Sequence, residues 1–405
     1  MTPHVVVIGA GAAGLMAAIA ARDAGAAATL VERTADGGRK ILISGGGRCN
    51  VLPGTAAPQR FVSESPPTLV RTLLGAWPLR EQRRFFEHDL RLPLALEADS
   101  GKLFPVSNRA RDVRDALVTR ARGGGVGLRF GSAVTAVRPA DPGWIVATAS
   151  GDLRCDRVVV ATGGLSVPST GSDGFGLGLA RALGHLVQPT YAALTPLTAA
   201  PAVHAALAGV SLSVRLDAAS ARERARAAGG FLFTHRGYSG PAVLDVSHVA
   251  VRSQWPGAAP ATVRVAWTPL DGAAWRALLA DGRGRVTTAL ARHLPQRLAD
   301  ALAREAGVPD DRTCAQLRRD ERAALVRALT EYPLPWTGDE GFRTAEVTGG
   351  GVALEEVHRG TLESRRAPGV FFCGEVLDAF GPIGGHNFSW AWSTGRTAGL
   401  GAARP

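Results

Sequence analysis

An α/β fold, built on a domain with a mostly parallel sheet and interrupted by a second, inserted domain, is what this 405-residue sequence predicts. Three observations predict it. The apolar strand Val5-Val6-Val7-Ile8 runs directly into Gly9-Ala10-Gly11-Ala12-Ala13-Gly14, an alanine-rich helix follows, and a second strand, Ala28-Thr29-Leu30-Val31, ends at Glu32. A second apolar run, Arg157-Val158-Val159-Val160-Ala161, ends in Thr162-Gly163-Gly164, as a strand buried on both faces does before a ligand-contacting turn. After a long stretch of different character, the pattern returns in Val370-Phe371-Phe372-Cys373, followed by Gly374-Glu375. Strand, glycine turn and helix in this order build a Rossmann-like sheet, here discontinuous in sequence.

Between these anchors the elements read in order. The run Gly37–Asn50 is too glycine-dense for regular structure and reads as a loop laid against a ligand. Residues Leu69 to Leu90 suggest helix, then comes Leu103-Phe104-Pro105, then helix from Arg109 to Arg122. Leu128 to Val137, Trp144 to Thr148 and Arg154 to Val160 read as short strands. From 189 to 335 the segments around Val210–Leu216, Phe231–Phe233 and Val263–Trp267 are strand-like, and arginine-rich helices fill Ala273 to Leu329. The expected organisation is therefore a first domain over 1–188 and 336–405, with an insertion over 189–335 that is part sheet and part helical.

Composition narrows the function classes. No uncharged apolar run reaches 18 residues, so no membrane span is expected, and the N-terminus lacks the basic leader of a signal peptide. Cys49, Cys155, Cys314 and Cys373 stand far apart without metal-ligand spacing; free thiols in a reducing cytoplasm are expected, and no metal site. The net charge of +11 is carried almost wholly by arginine, Lys40 and Lys102 being the only lysines. We read that excess as a bias of the whole chain, so nucleic acid is not the expected partner; the basic residues form no dense run interleaved with aromatics.

The glycine cradle carries the chemistry. Gly9 permits a tight turn, Gly11 lets backbone approach phosphates, Gly14 lets helix pack on strand, and the helix N-terminus faces the anion while Glu32 takes a ribose hydroxyl. Three further glycine-rich turns, around Ser44–Asn50, Ala161–Gly164 and Gly374–Asn387, follow strands of the same sheet, which suits an extended FAD better than NAD. No second strand–GxGxxG–acid unit follows, so NADH or NADPH would visit only as a transient donor.

Val5–Gly14, Gly38-Arg39-Lys40, Ser44–Asn50, Thr170–Gly174, Phe233–Pro241, Val347–Val352, Thr361–Ser364 and Gly374–Asp378 together resemble the BaiN/RdsA flavoproteins, a group that includes aminoacetone-oxidase-type enzymes. The resemblance implies a noncovalent FAD, a three-layer FAD domain, and an insertion combining a β-barrel-like part with a helical part. It implies no single substrate. Where such proteins commonly carry Thr-Gly-Gly-Tyr-Asn, this chain has Ile383-Gly384-Gly385-His386-Asn387, and Leu362 replaces a methionine. The first exchange removes a hydroxyl and adds an imidazole beside the expected ring.

The candidate cofactor contacts are Gly9, Gly11, Ala12, Ala13 and Gly14 in the first turn, with Glu32 and Arg33 after the second strand. Arg39, Lys40, Ser44, Gly45, Gly46, Arg48, Cys49 and Asn50 follow in the glycine-rich loop, then Val134, and Ala161, Thr162 and Gly163. Gly374 and Glu375 precede Gly384, Gly385, His386, Asn387 and Phe388, and the amides of Gly384 and Gly385 would meet the flavin N1–C2=O edge. Arg39 and Lys40 suit either phosphate or solvent; Cys49, lacking a partner cysteine, reads as a small packed residue; Asn387 suits a helix cap as well as a flavin contact. Asp173 is expected to cap the helix that follows it, and Trp390 and Trp392 to pack.

His235, Tyr238 and His386 are the candidates for substrate binding or proton transfer, because hydride reduction of an enone or imine requires a proton at the adjoining atom. The expected activity is hydride exchange between flavin N5 and a small organic molecule, either reduction of an enone or ketosteroid-like substrate or oxidation of an amine or aminoketone. A flavin-dependent tRNA-modifying protein and a non-catalytic redox sensor are the alternatives.

Overall fold

A computed structural model describes residues 2–405 and divides into two compact units, the first running to Thr190 and resuming over Val347–Pro405, the second spanning Tyr191–Glu346. The first unit is built on a five-stranded parallel sheet. Strand β1 (His4–Ile8) lies at its centre, between β2 (Ala27–Val31) and Arg157–Val160, with Gly127–Arg129 and Val370–Phe372 at the edges. Val5, Val6 and Val7 are fully buried, which is why the strand reads as an unbroken apolar run without alternation.

Helix α1 (Ala12–Asp23) and the C-terminal helix His386–Ala402 pack closely on this sheet and on each other. Their approach depends on glycine: a Cβ on Gly395 would lie 2.4 Å from the Ala13 carbonyl oxygen, and one on Gly399 2.2 Å from that of Ala17. The four-residue spacing puts both on one helix face, and the backbones meet there. Trp390 and Trp392 are buried as expected, and their indole N–H groups donate to Gly374 O at 3.1 Å and Val51 O at 3.0 Å. The helix thereby ties the last sheet strand to the segment after the glycine-rich loop.

Several elements depart from expectation for local reasons. The single helix expected over Leu69–Leu90 is broken into Pro67–Gly75 and Leu79–Arg84, ending in a π-turn at Phe85–Asp89. Pro78 supplies no N–H and biases Trp77 away from helix, so the break falls there. The strand expected over Leu128–Val137 splits at Gly131, which has φ +67°: Gly127–Arg129 joins the parallel sheet, whereas Val134–Pro139 pairs antiparallel with Trp144–Thr148. Arg154–Val160 likewise divides at Asp156, whose carboxylate accepts the His4 N–H at 2.7 Å. In the expected loop 37–50, Arg39–Ile43 forms a short helix because Ile41 buries in the core.

The second unit holds a seven-stranded antiparallel sheet around the long hairpin Ser211–Ala219 and Arg224–Phe233. Thr262–Ala266 pairs along the outer side of the first hairpin strand, and Gly237–Ser239 along the second. One face buries Phe231, Phe233, Tyr238 and Trp267 with the helix Pro241–Arg252. Four helices follow, Gly272–Asp281, Val286–Ala291, Gln296–Glu305 and Arg319–Thr330, and Asp271 caps the first of them, its carboxylate accepting the Ala274 N–H at 2.8 Å.

Candidate cofactor site

The glycine turn shows a division of labour among its glycines. A Cβ on Gly9 would lie 2.5 Å from the Ala161 carbonyl oxygen and one on Gly14 1.8 Å from that of Gly9, so both are packing glycines. A Cβ on Gly11 would meet no protein atom within 4 Å. The open side of the turn is thus at the N-cap of α1, which has no side-chain cap and no acid in its first turn. Uncompensated amides facing open space fit a pyrophosphate.

Glu32 follows β2, 9% exposed, and is held from two sides. Its Oε2 accepts the Ala10 N–H at 2.8 Å; its Oε1 accepts the Thr34 N–H at 2.8 Å and hydroxyl at 2.7 Å. The remaining lone pairs of a fixed carboxylate suit ribose hydroxyls. The segment leading to Val134 crosses beside it, with Ser132 N–H donating to Glu32 O at 2.8 Å and Glu32 N–H to Arg129 O at 2.9 Å. Arg33 and Arg39 are each paired to an acid, Asp173 and Asp36 respectively. Asp173 also accepts the Phe175 N–H at 3.1 Å, although Gly174 is the helix N-cap.

Lys40 and Glu375, 335 residues apart, meet in a polar knot. Lys40 Nζ lies 2.7 Å from both Glu375 Oε2 and Ser166 Oγ. Glu375 Oε1 accepts the Ser166 hydroxyl at 2.5 Å, the Thr348 hydroxyl at 2.9 Å and the Thr348 N–H at 3.0 Å. Burial pushes the Glu375 carboxyl up, but the Lys40 ammonium and these hydrogen bonds outweigh it and hold it below the usual carboxylate range. Four chain segments are pinned here. Ser166 escaped the sequence reading, since nothing in Leu165-Ser166 marks it as polar glue; Thr348 lay in a recognised motif without an assigned role.

The glycine-rich loop presents Asn50, whose buried Oδ1 has no hydrogen-bond partner, and the same is true of Thr162 Oγ1. Orphaned polar atoms at two of the turns expected to line a cofactor fit a polar guest. Cys49 is fully buried; desolvation, only partly offset by Ser44, pushes its thiol up to about 12, as expected for a packed cysteine. Ser44 Oγ–H donates to Ile41 O at 2.8 Å. Arg48 lies 4.0 Å over the Phe104 ring and 2.9 Å from Glu97, so it braces the neighbouring strands.

Gly384 and Gly385 adopt φ +106° and +91° before the C-terminal helix, which has neither side-chain cap nor first-turn acid. A Cβ on Gly384 would lie 3.1 Å from Lys102 Cε, so that lysine's stem runs beside it, whereas one on Gly385 would lie 2.4 Å from the Leu52 carbonyl carbon. His386 is 8% exposed, edge-on to Phe61; burial and then the Arg60 charge push its imidazole down to about 4. Asn387 accepts the Gly381 N–H at 2.8 Å and donates to Gly381 O at 3.0 Å, closing the preceding loop from inside the helix. Phe388 stacks on Trp392. Asp378, in a recognised motif without an assigned role, accepts the Glu64 N–H at 2.8 Å; burial pushes its carboxyl up to about 6.

The other two catalytic candidates stand on the second unit. His235 is exposed on the turn between Arg224–Phe233 and Gly237–Ser239. Tyr238 is fully buried, its hydroxyl 2.9 Å from His204 Nδ1 and donating to Pro335 O at 3.1 Å. His204 in turn contacts Glu305 and Tyr332 at 3.1 Å each. The Tyr238 hydroxyl is thus built into a core network.

Fold and cradle together define a Rossmann-type flavoprotein of the oxidoreductase class. The chain belongs to the HI0933-like family: the model described as "HI0933-like protein Rossmann domain" matches residues 3–401. It is 36% identical over 397 residues to the ribosomal RNA dihydrouridine synthase of Escherichia coli K12, covering 96% of this chain and 95% of that protein. It is 31% identical over 406 residues to the 3-dehydro-bile acid delta(4,6)-reductase of Clostridium scindens, covering 98% of each. Among solved structures, the open conformation of a flavocytochrome c3 fumarate reductase shares the fold, with TM-score 0.52, 16% identity and coverage of 99% of this chain and 78% of that one. The reading that set nucleic acid aside finds no support here, because a full-length relative is named for an RNA product. Among the described residues no helix is long and apolar enough to cross a membrane.

Proposed function

We propose that this protein is an FAD-dependent reductase that saturates a carbon–carbon double bond conjugated to a carbonyl, and that its substrate is a uridine in ribosomal RNA. One observation carries the reaction class. The two relatives, each matched over nearly its whole length, have different substrates by name, yet both names describe saturation of a C=C bond in conjugation with C=O. The higher identity to the RNA enzyme favours uridine over a steroid.

FAD held here would supply hydride-transfer chemistry, with NADH or NADPH as the electron source. The chain's residues set the stage for that chemistry. The amides at the start of α1 and Glu32 would hold pyrophosphate and ribose. Those at Gly384–Gly385 would face the edge where negative charge collects on reduction. A proton must reach the carbon next to the carbonyl, and His386 and His235 are the groups in this chain that we assign to that search. Four buried, free cysteines agree with work in a reducing compartment, the cytoplasm.

The test is mass spectrometry of rRNA lacking dihydrouridine after incubation with the FAD-loaded protein and NADH or NADPH, beside a parallel reaction on a 3-oxo-Δ4 steroid. Dihydrouridine formed in RNA is the expected result. Steroid reduction with untouched RNA would reassign the substrate. Oxygen-driven turnover of an aminoketone, with neither reduction, would overturn the reductase.

A further inference from the structure

The outward face of the second unit's sheet carries an excess of positive charge. On the three strands Ser211–Ala219, Arg224–Phe233 and Thr262–Ala266, the inward positions are apolar and the exposed positions include Arg215, Arg224, Arg226 and Arg264. Asp217 is the one acid on this face. In register it lies opposite Arg226 on one neighbouring strand and Arg264 on the other. Arg224 and Arg226 share it, at 2.6 and 2.8 Å, whereas Arg215 and Arg264 have no carboxylate partner among the described residues.

Composition alone does not produce this. The chain has 46 Lys and Arg against 35 Asp and Glu, but this face sets four arginines against one aspartate. Apart from Leu232, every other outward position on the three strands is Ser, Thr, Ala or Gly, so the guanidinium groups stand above a low platform. Strand spacing puts Arg226 and Arg264 about 10 Å apart, with Arg215 about 7 Å along the strand from Asp217. Guanidinium forks pair with phosphate oxygens bidentately. No aromatic side chain stands among the outward positions to stack a base.

We propose that this sheet face docks the phosphate backbone of RNA, gripping it without reading sequence. Its choice of partner rests on the RNA reading given above, while its chemistry is independent of the flavin. Backbone contacts of this kind position a substrate and make affinity depend on salt.

The experiment is fluorescence anisotropy of the FAD-loaded full chain with a labelled rRNA hairpin between 50 and 200 mM KCl. The variants are Arg215→Glu/Arg264→Glu, the milder Arg215→Gln/Arg264→Gln in case the first disturbs the sheet, and Arg138→Glu on the first unit as control. The double Glu variant is expected to bind at least about tenfold more weakly, with a log–log salt slope shallower by about one to two, since each lost phosphate contact removes about 0.7–0.9. The Gln variant should fall between, and the control should match wild type. Wild-type affinity and slope in both double variants would overturn the docking face and leave the RNA reading standing. Wild-type protein that binds no RNA would overturn both, and tighter binding to polyglutamate than to RNA would transfer the face to an acidic polypeptide.

Discussion

Lys40 Nζ sits 2.7 Å from Glu375 Oε2, joining the first glycine-rich loop to the turn after the last strand of the parallel sheet. Both side chains are largely sheltered, and Ser166 and Thr348 complete the acceptor and donor count. Removing one partner leaves an uncompensated buried charge. Lys40→Met should therefore destabilise the first unit by about 3 kcal/mol, whereas Lys40→Met/Glu375→Gln should recover much of the loss. Urea unfolding followed by circular dichroism measures both; equal stability of the single variant and wild type would show the pair to be inert.

Substitutions at Gly11 and Gly14 should separate cofactor binding from folding. Gly11→Val places its side chain in open space, so melting temperature without cofactor should stay near wild type while FAD retention, read from absorbance of the purified protein, falls by at least about tenfold. Gly14→Ala drives a methyl into the Gly9 carbonyl. It should cost about 2 kcal/mol or more of stability before any ligand is considered. A Gly11→Val protein that stays yellow would remove the pyrophosphate from this turn.

His386 gives a signed pH dependence. Its imidazole is pushed to about 4 in the fold, from 6.5 for a free histidine. Between those values the unfolded chain binds the proton that the folded chain refuses, so the contribution is present above pH 6.5 and is lost as pH falls through 4. Relative to His386→Gln, wild type should lose about 2–3 kcal/mol between pH 7 and 4. Asp378, pushed up to about 6, acts in the opposite sense: its contribution is present below 3.8 and is lost as pH rises through 6. Parallel denaturation series on His386→Gln and Asp378→Asn should diverge in slope, and parallel slopes would refute both assignments.

Tyr238 and His235 should part company under substitution. Tyr238→Phe removes a hydroxyl held by His204 and Pro335 O. It is expected to cost about 1–2 kcal/mol, with kcat close to wild type. His235→Ala, at an exposed turn, should leave stability within about 0.5 kcal/mol. If His235 supplies the proton, kcat falls and its pH profile flattens; if His386 does, that loss appears only in His386→Gln.

Much of the first unit was legible because its signals are local. Four β-formers before Gly9 specify a buried parallel strand, and Gly9 and Gly14 mark a turn whose backbone packs too closely for a side chain. Gly395 and Gly399 were equally available at four-residue spacing, yet their meaning lies in where Ala13 and Ala17 come to rest. Pro78, Gly131 and Asp156 each cut an element that apolar periodicity alone extends.

The sequence by itself determined the parallel sheet, the glycine turn that opens α1 and the place of Glu32 after β2, since strand period, glycine placement and helix start are settled within a few neighbouring residues. Tertiary structure alone decided that Lys40 belongs to Glu375 and that the Tyr238 hydroxyl serves a core network. It also decided that Asp217 stands in line between Arg226 and Arg264. Those outcomes depend on which distant segments share a buried space or a sheet register, and chain order does not encode that in any local pattern.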